Sequence, residues 1–131
     1  MLDTNACIAA INRSSEHVIE RILEQHSEDI VTSVVCAAEL RYGAEKSAKR
    51  EQALGKLQLF LSSIRTIPLD VPMLDFYGRL RADLSRKGRP IGPLDTLIAA
   101  HALSLDLTLV TSNTKEFRRV RGLRVEDWAR A

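Results

Sequence analysis

Four polar residues interrupt stretches that are otherwise apolar or built of small residues. Asp3 sits in Met1-Leu2-Asp3-Thr4-Asn5, Glu39 in Val34-Val35-Cys36-Ala37-Ala38-Glu39-Leu40, and Asp95 in Ile91-Gly92-Pro93-Leu94-Asp95-Thr96-Leu97-Ile98-Ala99-Ala100. Asn113 follows Leu107-Thr108-Leu109-Val110-Thr111-Ser112. A carboxylate on a segment that faces a core forfeits several kcal/mol of hydration unless it is paired or bound to a metal. Three such acids ask for one shared explanation, and a hard divalent cation held among Asp3, Glu39 and Asp95 supplies it. Oxygen donors from separated segments, with no His or Cys among them, favour Mg²⁺ or Mn²⁺ over zinc or copper. Such an ion can present a water to a phosphodiester and neutralise the charge that develops there.

Each residue taken alone also has a plainer use. Asp3 could belong to a helix N-cap with Thr4 and Asn5, and Asp95 could complement a helix dipole. Asn113 could be a turn residue, with Thr111 and Ser112 capping the short helix that follows. Glu39 is the hardest to explain this way, because in the middle of a helix it has no capping role. The joint pattern carries the site.

The elements that must position these residues alternate between short β-type runs and helical stretches, the pattern of an α/β fold with a short parallel sheet covered by helices. Strands are expected at 1–3, 30–32, 64–67 and 107–111, with an edge strand at 123–125. Helices are expected at 5–12 and 16–26, the second striped by Val18, Ile19, Ile22 and Leu23. Ser33 is a natural N-cap for a helix from 34 to about 44, ending near Gly43, and a further helix covers about 47–62. Asp70 is expected to cap a helix with Pro72 in its first turn that runs to about Ser85, and Leu94–Leu105 forms the last long helix. Asp3, Asp95 and Asn113 then fall at strand ends or helix starts, where α/β sheets keep their sites. Only two residues precede Asp3, so the first strand is expected to be all but absent and Asp3 less firmly held.

Composition narrows the partners. With 131 residues, 45% of them hydrophobic and 27% charged, the chain reads as one globular domain over 1–131. No apolar run approaches the roughly 20 residues that span a bilayer, and no basic segment leads into an apolar one at the start, so a cytoplasmic protein is expected. Cys7 and Cys36 lie in apolar stretches far apart, as reduced core cysteines do. The net charge of +2 conceals two basic clusters, Arg79, Arg81, Arg86, Lys87 and Arg89, and Lys115, Arg118, Arg119, Arg121 and Arg124. Basic rims around an acidic cleft suit a polyanion, although charge runs are more often solvated helix faces. His17, His26 and His101 are placed at the surface or core edge, away from the site. Tyr42, Phe76 and Tyr77 are placed in the core or an interface, and with only six aromatics base stacking is not the main mode of nucleic-acid binding.

At this point the residues carry a family likeness. Met1-Leu2-Asp3-Thr4-Asn5, Ala38-Glu39-Leu40-Arg41-Tyr42-Gly43-Ala44, the stretch from Gly88 to Ala102, Leu109-Val110-Thr111-Ser112-Asn113-Thr114-Lys115-Glu116-Phe117, and Gly122 to Trp128 together cover nearly the whole chain. The chain resembles the PIN-domain ribonucleases, and among them the VapC toxins of bacterial toxin–antitoxin pairs. The resemblance implies an α/β/α sandwich, and an endoribonuclease that depends on Mg²⁺, with Mn²⁺ able to substitute. It further implies structured RNA, commonly tRNA, as substrate, inhibition by a VapB-type antitoxin that binds in a groove near the site, and a homodimer. Asp3 and Asp95 match the family's metal-binding aspartates and Glu39 its third acid. Asn113 stands where many PIN domains carry a fourth acid, and Thr111 matches a small hydroxyl residue lining the site.

The reading is therefore hydrolysis of a phosphodiester by metal-activated water, leaving 5′-phosphate and 3′-hydroxyl ends. Asp3 and Asp95 hold the metal, Glu39 binds it directly or positions the water, Asn113 with Thr111 orients metal-bound water, and Arg86, Arg89, Arg118 and Arg119 hold the RNA backbone. Two rivals stand beside it. One is a non-catalytic PIN-like module that binds RNA or protein, against which the three retained acids argue. The other is an aspartyl-phosphate phosphohydrolase, which needs a second Asp two residues after Asp3, where Asn5 stands.

Overall fold

The β-branched and apolar runs of this chain are too short to make long strands, and they line up instead as a narrow, all-parallel ladder. In the computed structural model, which describes residues 1–130, strand β1 (Val31–Ser33) pairs with β2 (Arg65–Ile67) in the register Val31↔Arg65 to Ser33↔Ile67. Strand β3 (Leu109–Val110) pairs with β4 (Val125–Glu126). Leu2 joins the two halves by bridging in parallel to both Thr32 and Val110.

The first strand is as short as expected, yet Asp3 is firmly held. Leu2 N–H donates to the Val31 carbonyl at 2.8 Å and Asp3 N–H to the Val110 carbonyl at 3.0 Å. Val110 N–H returns a bond to the Met1 carbonyl at 2.8 Å, and the buried Thr32 hydroxyl donates to the Leu2 carbonyl at 2.8 Å. Bonds from both sides make the chain start the middle of the sheet, and a central position fixes a short segment better than its length would.

Successive side chains of the ladder point to opposite faces, and each face is covered. Met1, Val31 and Leu109 join the core formed with α5 (Met73–Arg86) and α6 (Pro93–Ser104), which also takes Val35 and Cys36 of α3 (Val34–Glu45). Leu2, Ile30 and Val110 join the other core, with α1 (Thr4–Ile11), α2 (Glu16–Leu23), α4 (Arg50–Ser63) and Trp128. Helix α3 feeds both, Cys36 to the first and Leu40 and Ala44 to the second, so it runs along the seam. The short α7 (Thr114–Phe117) follows β3 and anchors itself by the buried Phe117.

Some local expectations give way to packing. Ser33 does cap α3, its hydroxyl accepting from Val35 N–H at 3.1 Å, but the helix passes through Gly43 to Glu45. Asp70 does not cap α5; only its backbone carbonyl accepts from Met73 N–H, and Pro72 takes the N-cap place. Helix α2 stops at Leu23, which is exposed, and a 3-10 turn at Ser27–Asp29 completes the stretch. His17 and His26 are exposed as expected, whereas His101 is a core residue, 1% exposed, with Nδ1 2.8 Å from the Ser33 hydroxyl. Tyr42 and Phe76 are exposed rather than interior, whereas Tyr77 is half-buried and packs against the first core. Both cysteines are buried and free, and burial raises each thiol's pKa, that of Cys36 to about 11. Among the described residues no helix is long and apolar enough to cross a membrane.

Candidate active site

Asp3 leaves the central strand and enters α1 at once, so one side chain serves both the helix and the site. Its Oδ1 accepts from Ala6 N–H at 2.8 Å, which makes it the N-cap of α1, and only 4% of the residue is exposed. Burial raises the pKa of this carboxyl, the Thr111 hydroxyl and the Ala6 N–H oppose that by bonding to its charged form, and Glu39 and Asp127 add repulsion. The plainer use of Asp3 as a cap and its place in a charged cluster therefore coexist.

Glu39 and Asp95 are half-buried rather than buried. The Glu39 Oε1 accepts the Thr4 hydroxyl at 2.8 Å, which ties α3 to the start of α1. Asp95 lies in the first turn of α6, whose N-terminus is set by Pro93. Its pKa is raised to about 6, first by desolvation and then by the charges of Glu116, Glu39 and Asp3. An acid that still reaches water but is lifted this far sits in a field of other carboxylates, and such fields mark functional sites.

Glu116 is the member of that field that the sequence reading missed. From α7 its Oε1 accepts the Gly92 N–H at 3.1 Å, and its Oε2 accepts a short bond from Asn113 Nδ2. The available signal was an acid three residues after Asn113 in the first turn of a helix, a spacing that reads first as helix capping. Asn113 itself turns out to hold Glu116 through its side chain rather than to stand ready for a water, while its N–H donates to the Thr111 hydroxyl oxygen at 2.9 Å. Thr111 is buried between Asp3 and Asn113.

Of the arginines expected to meet a polyanion, Arg86, Arg89 and Arg118 are exposed. Arg119 is not free: it is half-buried, its Nη1 donates to the Pro90 carbonyl at 3.1 Å, and its Nε is buried without a partner. It clamps the strap Gly88–Gly92 that leads into α6, so its first role is structural.

The donor set fits a hard cation in kind: carboxylate oxygens, one of them pushed up by the other three. Among the described residues, no three His, Cys, Asp or Glu side chains are arranged to close on a single ion. Each of Asp3, Glu39 and Glu116 is instead turned to a neighbouring donor, which relieves their mutual repulsion. Mg²⁺ needs only one or two carboxylates beside its own waters, so Asp95 with one neighbour meets that demand. Beside Glu39 opens an apolar groove of about 370 Å³ between α1, α3 and α4, lined by Ile8, Ile11, Leu40, Ala44, Ala53 and Leu57.

This parallel ladder, with an acid cluster at its carboxyl edge, matches known proteins along its whole length. The sequence model of the PIN domain matches residues 1–123. The chain is 43% identical over 128 residues to the tRNA(fMet)-specific endonuclease VapC of Salmonella typhimurium, covering 98% of this chain and 96% of the relative. It is 45% identical over 129 residues to the protein of the same name from Shigella flexneri, covering 98% and 97%. The crystal structure of DNA-bound VapBC from Salmonella typhimurium superposes with a TM-score of 0.92 at 43% identity, over 98% of this chain and 96% of that one. VapBC-1 from nontypeable Haemophilus influenzae gives 0.91 at 34% identity, over 99% and 98%. The chain belongs to the PIN-domain family and, within it, to the VapC ribonucleases. It is accordingly a nuclease, of the kind found in toxin–antitoxin pairs.

Proposed function

We propose that this protein is a Mg²⁺-dependent endoribonuclease toxin that hydrolyses a phosphodiester of structured RNA, tRNA first among the candidates, and that a VapB-type antitoxin holds it inactive. The observation that carries the reading is Asp95, half-exposed at the carboxyl edge of the sheet with its pKa raised to about 6 by burial and by Glu116, Glu39 and Asp3. When bound, Mg²⁺ or Mn²⁺ supplies Lewis acidity, neutralising charge on the phosphodiester as it is attacked. Asp95 and Asp3 would hold the cation, with Glu39 and Glu116 as the neighbouring acids.

The chain's own residues then divide the work. Asp3 is fixed by the Ala6 N–H, and the Thr111 hydroxyl favours its charged form against the burial that raises its pKa, so it offers the cation a rigid carboxyl. Thr4 holds one oxygen of Glu39 and leaves the other to orient a nucleophilic water. Glu116, tethered to Asn113 and Gly92, keeps the α6 N-terminus registered against β3. Arg86, Arg89 and Arg118 hold phosphates of the bound strand without reading its sequence.

The relatives are named as tRNA(fMet)-specific endonucleases and their structures are of VapBC complexes, which supports tRNA as substrate and an antitoxin as partner. The apolar groove beside Glu39 suits an amphipathic segment of that antitoxin, and a homodimer in the cytoplasm completes the picture. A non-catalytic RNA- or protein-binding module is the second reading, and it leaves the raised Asp95 without a purpose.

The test is incubation of purified, antitoxin-free protein with bulk tRNA and with small phosphate esters, with Mg²⁺ or with EDTA. New 5′-phosphate ends in tRNA that appear only with Mg²⁺ support the reading. Bound but intact RNA would favour the non-catalytic module, and released inorganic phosphate the phosphohydrolase.

A further inference from the structure

Between α5 and the start of α6 lies a cavity of about 230 Å³. It is separate from the groove beside Glu39 and is not absorbed by the acid cluster. Leu84, Pro90, Ile91 and Pro93 supply apolar walls, the exposed Arg81 and Ser85 flank it, and the buried Thr96 contributes from α6. Pockets for drug-sized ligands start at roughly 300 Å³, so this one suits a single flat ring system rather than a whole nucleotide.

The walls are fixed in advance. Gly88, at φ +64, turns the chain back over the end of α5, with Gly88 N–H donating to the Ser85 carbonyl at 3.0 Å and Arg89 N–H to the Leu84 carbonyl at 2.9 Å. Arg119 then holds the Pro90 carbonyl, Glu116 holds the Gly92 N–H, and the Thr96 hydroxyl donates to the Gly92 carbonyl at 2.8 Å. Pro90 and Pro93 remove further freedom from the strap. A wall tied to Glu116 and the lining residue Thr96, which adjoins Asp95, place this cavity beside the acids.

The surrounding charge is positive. Arg81 lines it, the exposed Arg86 and Arg89 flank the lining residues Ser85 and Pro90 in the chain, and Lys87 is paired with Asp83 at 3.0 Å. Arg81 is itself posed: its Nη1 donates to the Tyr77 hydroxyl at 2.8 Å and its guanidinium lies over the Tyr77 ring, 5.9 Å from the centroid, which leaves the opposite face of the plane for stacking. An apolar slot beside a posed guanidinium and within a basic rim matches an unpaired nucleobase whose backbone runs over the arginines.

We propose that this cavity is a base-binding subsite, taking one unpaired base of the RNA substrate next to the scissile phosphate, with Arg81 as its stacking residue. The proposal rests on the ribonuclease reading and adds to it where the substrate's bases go.

The test uses unpaired RNA of about 12 nucleotides, in which a single abasic ribose is moved along the strand, binding to the full chain in EDTA buffer. For the parent protein, one abasic position is expected to weaken binding about tenfold while the others cost little. Ser85→Trp, which fills the slot from an exposed position, should bind intact RNA about tenfold more weakly and lose its sensitivity to that abasic position. Arg81→Lys keeps the charge but not the plane, so it should show the same loss of sensitivity at an unchanged salt dependence. Equal cost at every abasic position, or parent-like behaviour of both variants, overturns the subsite. A parallel arm measures cleavage in Mg²⁺. Cleavage without position-specific base dependence overturns the subsite alone, and absence of both binding and cleavage overturns the ribonuclease reading with it.

Discussion

Asp95 joins the physics of the acid cluster to something measurable. Its ordinary pKa of 3.8 is raised to about 6 in the fold, so between those values the native state keeps a proton that the unfolded chain has lost. The associated stability is present below about pH 4 and is lost as pH rises through about 6. Because the residue is half-exposed, solvent trims the effect, and the useful quantity is the difference from Asp95→Asn. That variant should gain in thermal midpoint relative to the parent as pH is taken from about 5 to about 7.5, and Mg²⁺ should close the gap. A gap independent of pH would show that Asp95 does not feel its neighbours. Glu116→Gln should lower the Asp95 pKa and weaken Mg²⁺ binding, measured calorimetrically, with a loss of cleavage of about tenfold or more. Asp3, Glu39 and Asp95 were legible in the sequence as a set, because three acids in apolar runs share one explanation more readily than three separate ones. Glu116 was not, because among polar neighbours on a short helix it looks like ordinary surface charge.

At the scale of elements, the strap Gly88–Gly92 and helix α6 behave as one unit fastened to α7 through Glu116 and to the turn after it through Arg119. Arg119→Ala should therefore cost stability, about 1 kcal/mol for the lost bond, measured by denaturant titration. Arg86→Ala, Arg89→Ala and Arg118→Ala should leave stability unchanged, each reducing the salt slope of RNA binding by about one. Equal behaviour of all four would mean that the clamp has no structural weight. The sequence could separate strands from helices, since the apolar period marked the long helices and Ser33 marked the start of α3. It could not show that Arg119 faces a carbonyl or that His101 is buried, because both depend on what packs opposite. His101 lies off the Asp95 face of α6 and is met there by the Ser33 hydroxyl, which is what lets a histidine enter the core, and burial lowers its pKa. The Asp70 cap failed because Pro72 takes the N-cap place itself and leaves Asp70 only its backbone carbonyl to offer.

For the whole molecule, these terms describe a sheet that gathers acids from α1, α3, α6 and α7 at one edge and leaves their repulsion to be offset by a cation. A ligand that binds only the native state at about a hundredfold over its Kd adds about 2.7 kcal/mol, so saturating Mg²⁺ or Mn²⁺ should raise the thermal midpoint clearly, and less so in Asp95→Asn. The most direct measurement is single-turnover cleavage of bulk tRNA by purified, antitoxin-free protein in Mg²⁺, comparing the parent with Asp95→Asn. The expected result is a loss of about 10² or more in rate with an unchanged circular dichroism spectrum. If Asp95→Asn cleaves like the parent, the acid cluster is not the active site and the catalytic account of this chain is wrong.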